Sequence, residues 1–309
     1  MAMNPPRPAC SPAANGRFYT VRDGTKIFVF TRLPDAAWDR TVYVLSGITG
    51  INHEREADLV AALSGGTNRI VVIHPRGTGY SEGARGDLTS FDELLDDHVK
   101  IVNADAESGE RILFGHSMST ALAVAIAPRV ERLAGVVLVN PPVATKASEG
   151  MTPGIFAYAK YALYMIFAPH VPVVNMAGNP AQINDPEERA EAEARKGDPL
   201  LVHYFSMLCM LASKRLMDSM VTRARTSKAP LLLVYGAKDS IVERRGCERL
   251  FDAWACVDKR FLSIADGPHG KRTALEAAPT IREWARSRPR TSGTPGAIVC
   301  RAANSRPPK

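Results

Sequence analysis

The strongest constraint on the fold is a set of short runs that are apolar almost without a break. They are TVYVL at 41–45, IVVI at 70–73, RILF at 111–114, GVVLV at 135–139, LLLVY at 231–235 and FLSI at 261–264. A strand with one face in water alternates apolar and polar residues, so a continuously apolar run must be covered on both faces. Helical patterns lie between these runs, at Glu54 to Leu63, Phe91 to Ala106, Met118 to Ile126, Val242 to Ala255 and Lys271 to Arg286. Strand and helix in alternation predict an α/β protein with a mostly parallel, doubly wound sheet. Phe18 to Val21 and Lys26 to Phe30 add an opening hairpin turned at Asp23-Gly24.

The rhythm stops between Val143 and Lys228, where no strand is evident. Aromatic and Met-rich helical patterns, Met151 to Phe167 and Leu200 to Met220, flank a polar segment, Asn184 to Asp198. The expected organisation is a core of residues 17–142 and 229–286, a helical cap of 143–228, a flexible segment 1–16 and a basic disordered tail 287–309. The formal net charge of +7 does not indicate nucleic acid, because Arg286, Arg288, Arg290, Arg301, Arg306 and Lys309 supply six of those charges with no acid among them. The remainder is close to neutral. The five cysteines are odd in number and form no CxxC pair, so neither a disulfide framework nor a zinc site is expected. The first sixteen residues lack the apolar stretch of a secretory signal, and no run of about 18 apolar residues spans a membrane. The expectation is a cytoplasmic protein with no stable membrane insertion; the sequence leaves its oligomeric state open.

Chemistry concentrates in Gly115-His116-Ser117-Met118-Ser119, which follows an apolar strand and precedes a small-residue helix, TALAVAIA. That is the setting of a nucleophile elbow, whose tight turn needs small residues two before and two after the serine. Gly115 and Ser119 meet the need, although glycine is usual at the second place. The same serine also reads as a plain helix N-cap. A serine hydroxyl needs a base, and the base an orienting acid, which after such an elbow follow in the order Ser, acid, His. Asp239 follows LLLVY and His269 follows FLSI, each just beyond the carboxyl end of its strand, where α/β sheets bind ligands. Singly, Asp239 could be a turn or cap residue and His269 a surface histidine; the order of all three makes Ser117, Asp239 and His269 the expected triad. Asp266 is a rival acid but precedes His269 too closely. Backbone donors for an oxyanion are expected from Met118 and from Ile48, in the small-residue loop Ser46-Gly47-Ile48-Thr49-Gly50. His98, beside Asp96 and Asp97, reads as a solvated surface residue.

From about Phe18 to Arg286 the chain resembles the α/β-hydrolases of the monoacylglycerol lipase and lysophospholipase type. The segment His74-Pro75-Arg76-Gly77-Thr78-Gly79-Tyr80-Ser81-Glu82-Gly83 matches that family's Asp-x-Arg-Gly-x-Gly-x-Ser-x-Gly, with His74 in place of Asp. Gly115-His116-Ser117-Met118 and Gly236-Ala237-Lys238-Asp239 also match, while Ser46-Gly47-Ile48 stands where the family has His-Gly-x. The resemblance implies an α/β-hydrolase fold with an eight-stranded sheet, a helical cap between two strands, and cleavage of a small-molecule acyl ester through an acyl-enzyme. Gly47, Arg76, Gly77 and Gly79 would support the loops around the oxyanion site. No metal or organic cofactor is implied. Acyl transfer, thioester, amide or C–C bond cleavage, and ligand binding without catalysis stay open, because one fold hosts many chemistries. In the expected cap, Phe156, Tyr161, Tyr164, Met207, Met210, Met217 and their neighbours are spaced for helices with a broad apolar face, which could pack on the core or line an acyl tunnel.

Overall fold

The structure, a computed structural model, describes residues 4–9, 15–50, 52–88, 90–146, 155–176, 181 and 186–288. Half of the expected N-terminal segment, all of the tail beyond Arg288, and the start of the Met151 to Phe167 pattern lie outside the described residues. The strands are β1 (Gly16–Thr20), β2 (Lys26–Arg32), β3 (Arg40–Val44), β4 (Arg69–Ile73), β5 (Glu110–His116), β6 (Leu133–Val139), β7 (Val174–Asn175), β8 (Tyr204–Phe205), β9 (Leu231–Gly236) and β10 (Lys259–Ile264). The helices are α1 (Ala57–Ser64), α2 (Phe91–Ala104), α3 (Ser119–Ile126), α4 (Ile155–Phe167), α5 (Pro186–Lys196), α6 (Met207–Asp218), α7 (Met220–Ala224), α8 (Arg244–Ala253) and α9 (Lys271–Arg286).

Eight strands form one sheet in the order β1-β2-β4-β3-β5-β6-β9-β10. β1 and β2 are the antiparallel hairpin, β2 runs antiparallel to β4, and the rest are parallel. Every residue of β3, β4, β6 and β9 is buried, as runs apolar on both faces require. On one face, Leu59, Val60 and Leu63 of α1 and Ile281 and Trp284 of α9 cover Val42, Val72, Phe114 and Val137. On the other, residues of α2, α3 and α8 pack with Tyr43, Val71, Leu113, Leu138 and Leu233. Burial of this apolar surface stabilises the sheet by roughly 25 cal/mol per Å². The chain continues from β3 to β4 on one side and later to β5 on the other. The loops after β3 and β5 therefore diverge at a switch point, where open α/β sheets form their crevices.

Between β6 and β9 the polypeptide leaves the sheet. Two readings change there. The polar stretch from Asn184 contains a helix, α5, and β7 and β8 pair antiparallel as a two-stranded ribbon apart from the main sheet. Three further expectations are corrected elsewhere. His98 is fully buried, with Nδ1–H donating to the Leu94 carbonyl at 2.7 Å, because it shares the core face of α2 with Leu94, Ile101 and Val102. Cys256 is disulfide-bonded, whereas Cys209 and Cys247 are free thiols. A bridge requires only spatial proximity, which the spacing along the chain does not reveal. Arg288, placed by sequence in the tail, is fixed to the core: it pairs with Asp258 at 2.6 Å, and its carbonyl accepts from Arg40 at 2.6 Å.

Candidate active site

Ser117 sits between β5 and α3 at φ 52°, a left-handed conformation rare for a residue with a side chain. The turn leaves room for no side chain at Gly115, where a Cβ would lie 2.8 Å from the Ser119 carbonyl oxygen and 2.9 Å from the Thr120 Cα. Ser119, the departure from glycine, is accommodated by use: its hydroxyl accepts from the His116 N–H at 2.8 Å and donates to the His116 carbonyl at 3.0 Å. The elbow is thereby closed by a side chain.

Asp239 and His269 meet the serine from the loops after β9 and β10. Asp239 is fully buried, and its Oδ1 accepts backbone N–H groups from Ile241 and Val242, both at 2.7 Å. Its Oδ2 lies 2.8 Å from His269 Nδ1, and His269 Nε2 lies 2.9 Å from Ser117 Oγ. Burial pushes the Asp239 carboxyl up, but the hydrogen bond and charge of His269 and the two N–H groups outweigh it and hold the group below its ordinary range. An ionised Asp239 can only accept, so His269 carries its proton on Nδ1 and presents Nε2 to the serine O–H. Asp266, the rival acid, is exposed and pairs with Lys238 at 2.6 Å.

The loop after β3 comes alongside. A Cβ at Gly47 would sit 3.5 Å from the Met118 side chain, so the backbone of 47–48 faces the start of α3. Among the described residues, the N–H groups of Ile48 and Met118 donate to no protein acceptor. Both side chains belong to one apolar cluster with Val202, Phe205, Cys209 and Met210, so residues from beyond β6 pack directly on this loop.

The segment from Arg76 to Gly79 is fixed by contacts of its own. Arg76 points to three carboxylates, Asp97, Asp23 and Glu93, at 2.7–3.0 Å. Gly77 and Gly79 have φ of 72° and 53°, and a Cβ would strike the Ala84 carbonyl or the His74 ring. His74 does an acceptor's work: its Nδ1 takes the Tyr80 N–H at 3.2 Å, so its Nε2–H donates to His53 Nδ1 at 3.1 Å. Burial holds the His74 pKa down to about 3, and the nearby His53 adds to that.

Three residues near the triad were not picked out by the sequence reading. His116 Nε2 lies 2.7 Å from the His269 carbonyl. Asn140, at the end of β6, donates to the carbonyl of Pro268 at 3.0 Å, and Lys146 Nζ donates to the Asp239 carbonyl. Position is the signal for two of them: His116 ends the strand that leads to Ser117, and Asn140 stands just past β6, between the strands that lead to Ser117 and Asp239; Lys146, farther along the chain, carries none.

A family model described as serine aminopeptidase, S33, matches residues 37–271, which include all of these loops. The chain belongs to that family. This S33 member has the α/β-hydrolase fold. It is 32% identical over 194 residues to a monoacylglycerol lipase of Mycolicibacterium smegmatis, an alignment spanning 61% of this chain and 66% of that relative. Its fold is shared by the monoacylglycerol lipase of Paleococcus ferrophilus, at TM-score 0.65 and 24% identity, covering 84% of this chain and 98% of that one. It is shared as well by a soluble variant of the monoglyceride lipase of Saccharomyces cerevisiae bound to a substrate analogue. There the TM-score is 0.73 at 15% identity, covering 94% of this chain and 100% of that one. No helix among the described residues is long and apolar enough to cross a membrane.

Proposed function

We propose that this chain hydrolyses a carboxylic ester through an acyl-enzyme, with Ser117 as nucleophile, His269 as general base and acid, and Asp239 as the orienting carboxylate. The observation that carries the reading is the unbroken chain from Ser117 Oγ through His269 to Asp239, at 2.9 and 2.8 Å, on a strained elbow. The Ser117 oxygen attacks the ester carbon as its proton passes to His269 Nε2, and the carbonyl electron pair moves to oxygen. The N–H groups of Ile48 and Met118 receive that oxyanion; one such donor is worth about 10²–10³-fold in rate. Collapse expels the alcohol, which takes the proton from Nε2. Water then repeats the sequence on the acyl-serine, returning the proton to Ser117 and releasing the acid. Asp239 remains ionised throughout.

Residues 143–228 act in this reading as a cap, and the substrate is an ester with one medium or long acyl chain, of the monoacylglycerol or lysophospholipid kind. Support comes from the monoacylglycerol lipase relative and from the apolar contact of Val202, Phe205 and Met210 with Ile48 and Met118. Burying a methylene contributes roughly 0.8 kcal/mol, so four extra methylenes add about 3 kcal/mol, on the order of 100-fold in kcat/KM. A panel of p-nitrophenyl esters from acetate to palmitate tests the substrate, and a fluorophosphonate probe tests the mechanism. The expected results are a rise of about 100-fold from acetate to hexanoate and a single adduct on Ser117. A profile flat or falling from acetate through octanoate excludes the acyl tunnel, and an unlabelled Ser117 excludes the acyl-enzyme.

A further inference from the structure

The base of the triad is carried by a loop that the sheet does not hold. β10 ends at Ile264, and the Gly267 N–H and carbonyl still bond to Ile264 and Lys238. Beyond that point Pro268 has no N–H to give. The carbonyls of Pro268 and His269 are taken instead by side chains: Asn140 Nδ2 and Thr273 Oγ1 at 3.0 and 2.6 Å for the first, His116 Nε2 and Asn140 Nδ2 at 2.7 and 3.4 Å for the second.

Asn140 is the member that reaches both carbonyls. It is fully buried, at φ 48°, a conformation that costs energy unless its surroundings enforce it. Its Oδ1 accepts the Gly236 N–H at 2.8 Å, three residues before Asp239, while its Nδ2 holds the loop of His269. One amide thus ties the strand end leading to the acid to the segment bearing the base. We infer that Asn140 is a positioning residue that, with His116 on the nucleophile's own strand, sets the His269 ring between Ser117 and Asp239. The inference rests on the esterase reading above. A displacement of about 1 Å in such a constellation costs on the order of 100-fold.

The test is Asn140→Asp, which keeps the size and the acceptor for Gly236 but loses the donor to the His269 loop. The expected result on p-nitrophenyl butyrate is a kcat about 30–100-fold lower with KM within about twofold. The low-field proton signal of His269 Nδ1–H, hydrogen-bonded to Asp239, should also shift or vanish in the one-dimensional NMR spectrum. Asn140→Ser, which can still donate, should recover part of the kcat and of the signal, and it carries the same comparison should the aspartate variant lose its cooperative melt. An Asp variant with wild-type kcat and an unchanged signal, or a loss confined to KM, overturns the inference. Should the wild-type protein cleave no ester, the functional reading falls, and the NMR comparison still decides the role of Asn140.

Discussion

The carboxyl edge of the sheet and the insertion between β6 and β9 are held by different means. At the sheet edge the proposed triad is held by hydrogen bonds: Asp239 receives three and is fully buried, and the elbow is closed by Ser119. The insertion is divided. Its later part is laced to the core, with Val202 N–H on the Thr49 carbonyl, Gly79 N–H on the Leu200 carbonyl, Asn52 on Asp198, and Arg85 on the carbonyls of Pro199 and Leu201. Even Asn4, in the segment expected to be flexible, bridges Arg85 and Tyr204. Its earlier part exposes apolar side chains, with Leu163, Ile166 and Phe167 at 57%, 69% and 78% accessibility. Fixed partners thus surround the site and continue through the later part of the insertion, both beside the loop of Ile48 and where Leu216, Met220 and Ala224 join the main core, while the exposed apolar side chains lie on α4.

Removing the chemistry while sparing the scaffold should give the largest effect. Ser117→Ala is expected to lower kcat by about 10⁴-fold or more, since triad members act as a unit. Thermal stability should hold or rise, because the Ser117 φ strain is unrelated to its hydroxyl. Steady-state kinetics beside a thermal melt checks this. Turnover near wild type would place the nucleophile elsewhere. Next comes the join between the two regions. Phe205, fully buried against the loop of Ile48, should cost about 3–5 kcal/mol as Phe205→Ala. Its residual folded fraction should also show a lowered kcat, whereas a variant that melts early but turns over at the wild-type rate would uncouple the insertion from the oxyanion loop.

Most of this division was legible in the sequence only on the sheet side. The parallel strands announced themselves because strands apolar on both faces can be little else, and Ser117, Asp239 and His269 stood just past strand ends in an order that few coincidences produce. The insertion hid its structure for physical reasons. α5 is polar nearly all round and shows no apolar stripe, and β7 and β8 are two residues each, too short for any periodicity. His98 was within reach, since it lies four after Leu94 and three before Ile101, but its acidic neighbours Asp96 and Asp97 suggested a wet face; Asp97 itself is buried on Arg76. Asn140 and His116 carry no motif that marks them as supports, because the loop they hold is adjacent only in space.

Acid should act first on the core. Burial holds His98 and His116 down to about 4 and His74 to about 3, so each is neutral in the folded protein at neutral pH. The unfolded chain binds those protons near pH 6.5, so the stability these groups contribute is complete above that value and is lost as pH falls toward 4. Each adds up to about 1.4 kcal/mol per pH unit to the slope within that window. Replacing one of them by a group that does not titrate, as in His98→Gln, should flatten the dependence of unfolding free energy on pH between 6 and 4.5 by about that amount. Denaturant titrations across that window measure it; parallel curves for the two proteins would mean that His98 is not kept neutral by burial.

The smallest effect should come from the outward face of α4, where the comparison is at its sharpest. Surface changes away from special features usually alter stability by no more than about 0.5 kcal/mol, whereas a buried leucine cut to alanine costs about 2–5 kcal/mol. Ile166 and Phe167 are exposed, while Leu216 on α6 is buried with Met220 and Ala224 against α3. Ile166→Ser with Phe167→Ser should therefore leave the urea midpoint almost where it was, and Leu216→Ala should move it markedly. The slope of free energy with denaturant should match the wild type in both, because neither changes the surface exposed on unfolding by much. If the double serine variant instead falls by 2 kcal/mol or more, those side chains are covered in solution, and the earlier part of the insertion is as firmly seated as the later part.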